Sequence, residues 1–260
     1  MPTDHEIARQ VATDAGRLLV ELRRSEVPGD LGDRGDAAAH DFIVEELARL
    51  RPGDPVLSEE GAADDGPDGR TRLGAPRVWV VDPLDGTREF RELGRTDWAV
   101  HVALVDGQGV PVAGAVALPA EGVTLSTAEP PPAPPVHHGP PRLVVSRSRP
   151  PIEASIVARL LGGELVPLGS AGAKAMAVVR GDAEVYLHTG GQYEWDSCAP
   201  VAVAAAAGLH VSRADGSPLV YNRPDPWLPD LLVCRTELAP TIVAAVRRMA
   251  GDGDPGPYMG

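Results

Sequence analysis

Lysine is almost missing from this chain: Lys174 is the sole example, and arginine carries every other basic side chain. Basic residues are in deficit overall, 24 against 37 acidic ones in 260 residues, for a formal net charge of −13. A surface of that sign repels polyphosphate, which excludes a protein that coats nucleic acid and leaves no polymer partner to expect. Two cysteines, Cys198 and Cys234, are too few for a disulfide framework. The opening MPTDHEIARQVATDAGRLLVELRR lacks the basic start and apolar core of a secretion signal. Both absences lead to the expectation of a reducing, cytoplasmic setting. No apolar run approaches the ~20 residues that span a bilayer, so no membrane partner is expected. Glycine and proline are plentiful, 29 and 27 residues, but they are scattered between periodic segments and so predict many turns rather than disorder.

The length suffices for one large domain or two modest ones. Ile7, Val11, Ala15, Leu18, Leu19 and Leu22 recur at helical spacing behind Thr3 or Asp4, and a second stripe runs through Phe42, Ile43, Leu47 and Leu50. Between them SEVPGDLGDRGD reads as a polar connection. PVLSEE predicts a short strand, the stretch from Gly61 to Pro76 a loop, and VWVV a buried strand that stops at Asp82. DWAVHVALV alternates, turns at DGQG and returns as VPVAGAVAL, with GVTLSTA as a third strand. The proline-rich EPPPAPPVHHGPP then marks a boundary between halves 1–140 and 141–260. Beyond it, LVVS, IEASIVARLL, ELVPL, GSAGAKAMAVVRG, VYL, CAPVAVAAAAG and LHVS alternate strand with helix, and a last helix runs from Pro240 to Met249. The expected class is an α+β half followed by an α/β half.

The chemistry concentrates in VDPLDGTREF. Asp82 and Asp85, three residues apart around the stiff Pro83, can converge with the Leu84 carbonyl between them. Oxygen donors of this kind suit a hard cation such as Mg²⁺ rather than zinc. A helix starting after Gly86 would aim the Gly86 and Thr87 amides at the same point, where they could hold a phosphate oxygen. Asp-Gly occurs six times in the chain, at 65, 68, 85, 106, 215 and 252, and elsewhere reads as a simple turn. Two further acidic blocks stand apart: Glu59-Glu60, which a solvated strand end would also explain, and Asp196, which a helix N-cap would also explain.

LSEEG, WVVDPLDGTREF and EWDSCAP, in this order and spacing, resemble the signature of the Mg²⁺-dependent, lithium-sensitive phosphatase superfamily of inositol monophosphatase and fructose-1,6-bisphosphatase. The DGTREF form, the SRS at 146–148 and the lysine of GSAGAKAM are most similar to its 3'(2'),5'-bisphosphate nucleotidases of sulfate assimilation, the CysQ type. The likeness covers about residues 5 to 250 and implies a layered α-β-α-β-α sugar-phosphatase-like fold. Ser58 stands where the family usually has glycine.

Carried over residue by residue, the resemblance implies that Glu59, Asp82, the Leu84 carbonyl, Asp85 and Asp196 bind two or three Mg²⁺ ions. Asp36, or Asp33 in its place, would act with Thr87 on the attacking water, and the Gly86 and Thr87 amides would hold the departing phosphate. Lys174, Arg147 and His188 are the candidates for a second substrate phosphate; a snorkelling lysine, a surface ion pair and a polar strand end are the respective ordinary alternatives, and for His188 the strand end is the favoured one. His101, His137 and His138 read as structural or solvent-facing. The implied reaction is in-line hydrolysis of the 3'-phosphate of 3'-phosphoadenosine 5'-phosphate, or of its sulfated parent, without a covalent intermediate. An inositol-1-phosphatase or sugar-bisphosphatase is the nearest alternative and a non-catalytic nucleotide- or metal-binding protein a more distant one. A monomer and a homodimer are both compatible.

Overall fold

The computed structural model describes residues 1–25, 30–61 and 71–251. The Asp-Gly pairs at 65, 68 and 252 and most of the loop expected between Gly61 and Pro76 lie outside the described residues. Helix α1 (Asp4–Arg24) opens with a reciprocal cap: the Thr3 hydroxyl accepts from Glu6 N while the Glu6 carboxylate accepts from Thr3 N. Helix α2 (Leu31–Leu50) begins well before the apolar stripe that announces it. Asp30 caps it by accepting from the Gly32 and Asp33 amides, so LGDRGD is its first two turns and not part of a connection. The stripe is hidden there because its buried members are small. A Cβ on Gly35 would stand 2.9 Å from the Phe90 ring, which shows how closely α2 approaches and why Asp36 beside it reaches inward.

The first sheet contains β1 (Val56–Ser58), β2 (Arg77–Asp85), β3 (Ala99–Asp106), β4 (Pro111–Leu118) and β5 (Val123–Ser126), in that order. Only the β1–β2 pairing is parallel. Trp79, Val81, Val100 and Val102 pack against Ile7, Val11, Leu19 and Ile43 of α1 and α2. Val78, Val80, Ala99 and Ala103 face the other way, onto α5 (Ala171–Arg180) and α6 (Glu194–Ala206). Both faces of this sheet are therefore dry, as long apolar strands require.

Strand β2 does not stop at Asp82. It pairs with β3 through Asp85, with Asp82 opposite His101 and Asp85 opposite Ala99: three steps on β2 against two on β3. Leu84 thereby enters the core under α2. In a regular strand residues three apart point to opposite faces; the extra residue cancels that alternation and re-aims side chains locally.

The second sheet has the order β10 (His210–Ser212), β12 (Leu231–Cys234), β8 (Val185–His188), β6 (Arg142–Ser146), β7 (Glu164–Leu168). It is mixed, with β6 parallel to β7 and β8 and the remaining pairs antiparallel. Its outer face, through Leu143, Val185, Leu187 and Leu232, is covered by α4 (Ile152–Leu161) and α7 (Ala239–Gly251). Helices α5 and α6 thus lie between two sheets, each backed by a further helix pair, in five layers α-β-α-β-α. A small third sheet joins β9 (Gln192–Tyr193) to β11 (Trp227–Leu228). No described helix is long and apolar enough to cross a membrane.

Candidate active site

The slip in β2 brings Asp82 and Asp85 to one place. Asp82 is only 1% exposed and its Oδ1 accepts from Leu84 N at 3.1 Å. Asp85 lies at the N-terminus of α5, where Ala171 N and Gly172 N donate to its two oxygens at 3.1 and 2.5 Å. His101 Nε2 is 3.2 Å from Asp85 Oδ2, at ion-pair distance, while its Nδ1 lies 3.0 Å from the Trp195 carbonyl. Asp196 completes the group from the first turn of α6. That helix begins at Glu194, earlier than the alanine-rich run suggests, with Tyr193 in the N-cap position. Asp196 is therefore not its N-cap: it sits inside the first turn and reaches back to accept from Tyr193 N at 2.6 Å. Asp82, Asp85 and Asp196 each offer an oxygen within 4.8 Å of the others.

Burial and mutual repulsion dominate their electrostatics. Asp82 is pushed well above the carboxylate range by burial, then by Glu59, Asp85 and Asp196. Asp196 rises to about 6 through burial and the charge of Asp85. Glu59, which follows β1 at the cleft wall, rises to about 8 through burial and then Asp196 and Asp36. Asp85 is the exception. Burial opposes its charge, but His101, Lys174 and the Gly172 amide outweigh it and hold the carboxyl below its ordinary value. An all-oxygen set whose carboxylates mostly hold protons through burial and mutual repulsion fits a hard divalent cation.

Thr87 opens the short helix α3 (Thr87–Arg91) behind Gly86, whose φ of 91° requires glycine. The Thr87 hydroxyl lies 3.3 Å from both Asp36 Oδ2 and the Leu84 carbonyl, and its one proton can go to one of them at a time. Burial and the charge of Glu60 raise Asp36 to about 7, against the Thr87 hydrogen bond that lowers it. Asp33 points away and pairs with Arg91 at 2.7 Å. Of the two acids considered for this position, Asp36 is the one beside Thr87.

Above these groups opens a cleft of about 640 Å³. Lys174 does not snorkel. It is 4% exposed, its Nζ donates to the Gly169 and Ser170 carbonyls, and it lies 5.3 Å over the Tyr186 ring. Burial lowers its pKa, with Asp85 and Glu89 acting the other way. Arg147 is held by Glu89 at 2.6 Å and Glu92 at 2.8 Å. His188, lowered by burial, lies 2.9 Å from the Gly191 carbonyl through Nε2.

Sequence reading passed over two contributors. Arg149 lines the cleft, and among the described residues no acidic side chain pairs with it; its signal was a second arginine two residues beyond Arg147. His101 is the structural of the two kinds of histidine the sequence allows, fully buried against Asp85. Its signal was a polar residue between Ala99 and Ala103 on a strand face that helices cover. His137 and His138 are exposed.

The Asp85–His101 contact leaves no room for a side chain at Gly172, where a Cβ would fall inside the van der Waals envelope of His101 Nε2 and 3.1 Å from Asp85 Oδ2. Gly172→Ala should cost about 2 kcal/mol of stability by overpacking. It should also weaken Mg²⁺ binding, read by thermal unfolding and metal titration; unchanged values for both would show that the pair adjusts freely.

The pattern of the inositol monophosphatase family matches residues 5–133 and 137–249. Over 261 residues the chain is 49% identical to a 3'-phosphoadenosine 5'-phosphate phosphatase of Mycobacterium leprae (strain TN), covering 95% of this chain and 94% of that one. Identity to the 3'(2'),5'-bisphosphate nucleotidase CysQ of Escherichia coli (strain K12) is 34% over 246 residues, 84% of this chain and 94% of the relative. The crystal structure of CysQ from Bacteroides thetaiotaomicron, a bacterial member of the same family, superposes with a TM-score of 0.77 at 28% identity, covering 89% of this chain and 97% of that one.

Proposed function

The chain belongs to the inositol monophosphatase family, and from that premise we propose that it is a Mg²⁺-dependent phosphomonoesterase that converts 3'-phosphoadenosine 5'-phosphate to AMP and phosphate. The sulfated parent is a second substrate of the same site. The observation that carries the reading is the acidic trio beside Asp36 and Thr87, in a chain whose relatives are named for this reaction.

In this reading Asp82, Asp85 and Asp196, with Glu59 and the Leu84 carbonyl, hold two or three Mg²⁺ ions. When bound, the metal supplies positive charge for the phosphate and makes water more acidic. Asp36, beside Thr87, accepts the proton of the attacking water. Thr87 orients Asp36 through its hydroxyl, and the Gly86 and Thr87 amides take the phosphate oxygens. Water attacks phosphorus directly, in line with the departing 3'-oxygen, which takes up a proton to become the ribose hydroxyl, so no side chain forms a covalent bond. Lys174, Arg147 and His188 serve the 5'-phosphate, and Arg149, which lines the same cleft, joins them. The reading keeps two halves, 1–140 carrying most of the metal ligands and 141–260 most of the substrate contacts, with Asp196 as the ligand that crosses between them.

Phosphate release from 3'-phosphoadenosine 5'-phosphate and from inositol 1-phosphate, with Mg²⁺ and with chelator, tests it. Fast Mg²⁺-dependent release from the nucleotide is expected. Faster turnover of inositol 1-phosphate would transfer the assignment to the inositol-phosphatase branch, and nucleotide bound without release would make the protein a binder.

A further inference from the structure

The chain has four tryptophans, four tyrosines and two phenylalanines. Among the described residues, two aromatic side chains are largely exposed, Tyr193 at 44% and Trp227 at 46%. They are not scattered. They face each other across the β9–β11 pairing, with ring centroids 5.5 Å apart and planes at 81°. Tyr193 is stacked at 4.7 Å and 11° on Trp195, which is buried beneath it. Trp227 lies directly on the backbone at Gly191, where a Cβ would overlap the indole and where φ is 75°. Both rings line the cleft that also contains Asp85 and Asp196. The Tyr193 amide donates to Asp196, so the aromatic pair is tied to the turn that carries one of the carboxylates.

Open aromatic area is costly in water and signals a binding surface. This one lies in a cleft whose other walls carry the charged residues Asp85, Asp196, Arg147, Arg149 and Lys174. A flat, weakly polar group attached to a phosphate ester matches that combination, and base-on-aromatic stacking is how proteins hold such groups with little demand on sequence. We propose that Trp227 and Tyr193 form the platform on which the purine base of the substrate stacks, and that this platform sets preference for nucleotides over phosphorylated polyols. The inference rests on the nucleotidase reading above and adds the residues that recognise the base.

Kinetics on two substrates separate the possibilities: 3'-phosphoadenosine 5'-phosphate, and ribose 3,5-bisphosphate, which keeps both phosphates and lacks the base. Trp227→Leu should raise the nucleotide KM ~10-fold with kcat held within about twofold, and leave the KM of the base-free substrate unmoved. Trp227→Phe should recover most of the loss, and thermal unfolding of both variants should match the parent because the side chain is half in solvent. A nucleotide KM unchanged in Trp227→Leu, or an equal rise on both substrates, overturns the platform. If the parent protein turns over the nucleotide normally while Trp227→Leu behaves like it, only the platform falls. If the parent releases no phosphate from the nucleotide, the functional reading falls and takes the platform with it.

Discussion

Asp82→Asn is expected to yield a protein that is more stable than its parent in chelator and nearly inert in Mg²⁺. Asp82 is fully enclosed, and burial with Glu59, Asp85 and Asp196 around it holds its carboxyl well above the ordinary range. Folding of the metal-free chain therefore has to force a proton onto this group or bury its charge. Asparagine keeps the shape and removes the charge in both folded and unfolded states. The gain in stability should grow with pH, since the unfolded parent ionises more readily as pH rises. Activity should go the other way. Even residues that only orient metal ligands contribute about 10- to 100-fold, so removing a charged oxygen from the centre of the trio should cost at least ~100-fold in phosphate release. Thermal unfolding in chelator and phosphate release in Mg²⁺ read the two effects. A variant both less stable in chelator and fully active would show that Asp82 is a structural acid.

The second large effect is a pH dependence that metal reverses. Asp36, Asp196 and Glu59 hold protons to about 7, 6 and 8, raised chiefly by burial, and Asp82 is raised well above its ordinary value. Unfolded, all of them release protons near the ordinary values of 3.8 and 4.5. Between those limits the folded chain binds more protons than the unfolded one, so stability falls as pH rises through the window. His101, raised by Asp85 against its burial, adds to the same trend, because its contribution is lost as pH rises through its folded value. Asp85, lowered, acts in the opposite sense at the acid end.

In chelator the melting temperature should therefore drop between about pH 5 and about pH 8. Mg²⁺ at a thousandfold excess over its Kd adds ~4 kcal/mol, which corresponds to about 10 °C for a chain of this size. The rescue should be larger at the alkaline end, where protons no longer compete for the carboxylates. Scanning calorimetry at both pH values, with and without Mg²⁺, measures all four corners. A melting temperature independent of pH in chelator would mean that the acids are neutralised by the protein itself.

The parts of this site that could be read in the sequence are the local ones. Asp82, Asp85, Gly86 and Thr87 are contiguous, and the order of the three acidic blocks carried the family. The spacing of Asp82 and Asp85 around Pro83 implies their convergence, but not its cause, because the slip exists only in the pairing of β2 with β3. The start of α2 was invisible for a different reason: Gly32 and Gly35 are buried by close approach and leave no apolar signal. Strand β12 is four buried residues with no alternation to mark it. His101, Arg149 and the Tyr193–Trp227 pair acquire meaning only through neighbours distant in the chain, which single-sequence periodicity does not report.

The inward course of Lys174 has a consequence for the reactivity of the whole molecule. Since no other residue carries an ε-amine, acylating reagents meet a folded chain whose one side-chain target is packed against Tyr186 and bonded to two carbonyls of its own helix start. Modification at that nitrogen therefore requires the cleft wall to open, locally or with the whole fold, and its slowness relative to an exposed amine measures how tightly the start of α5 is held.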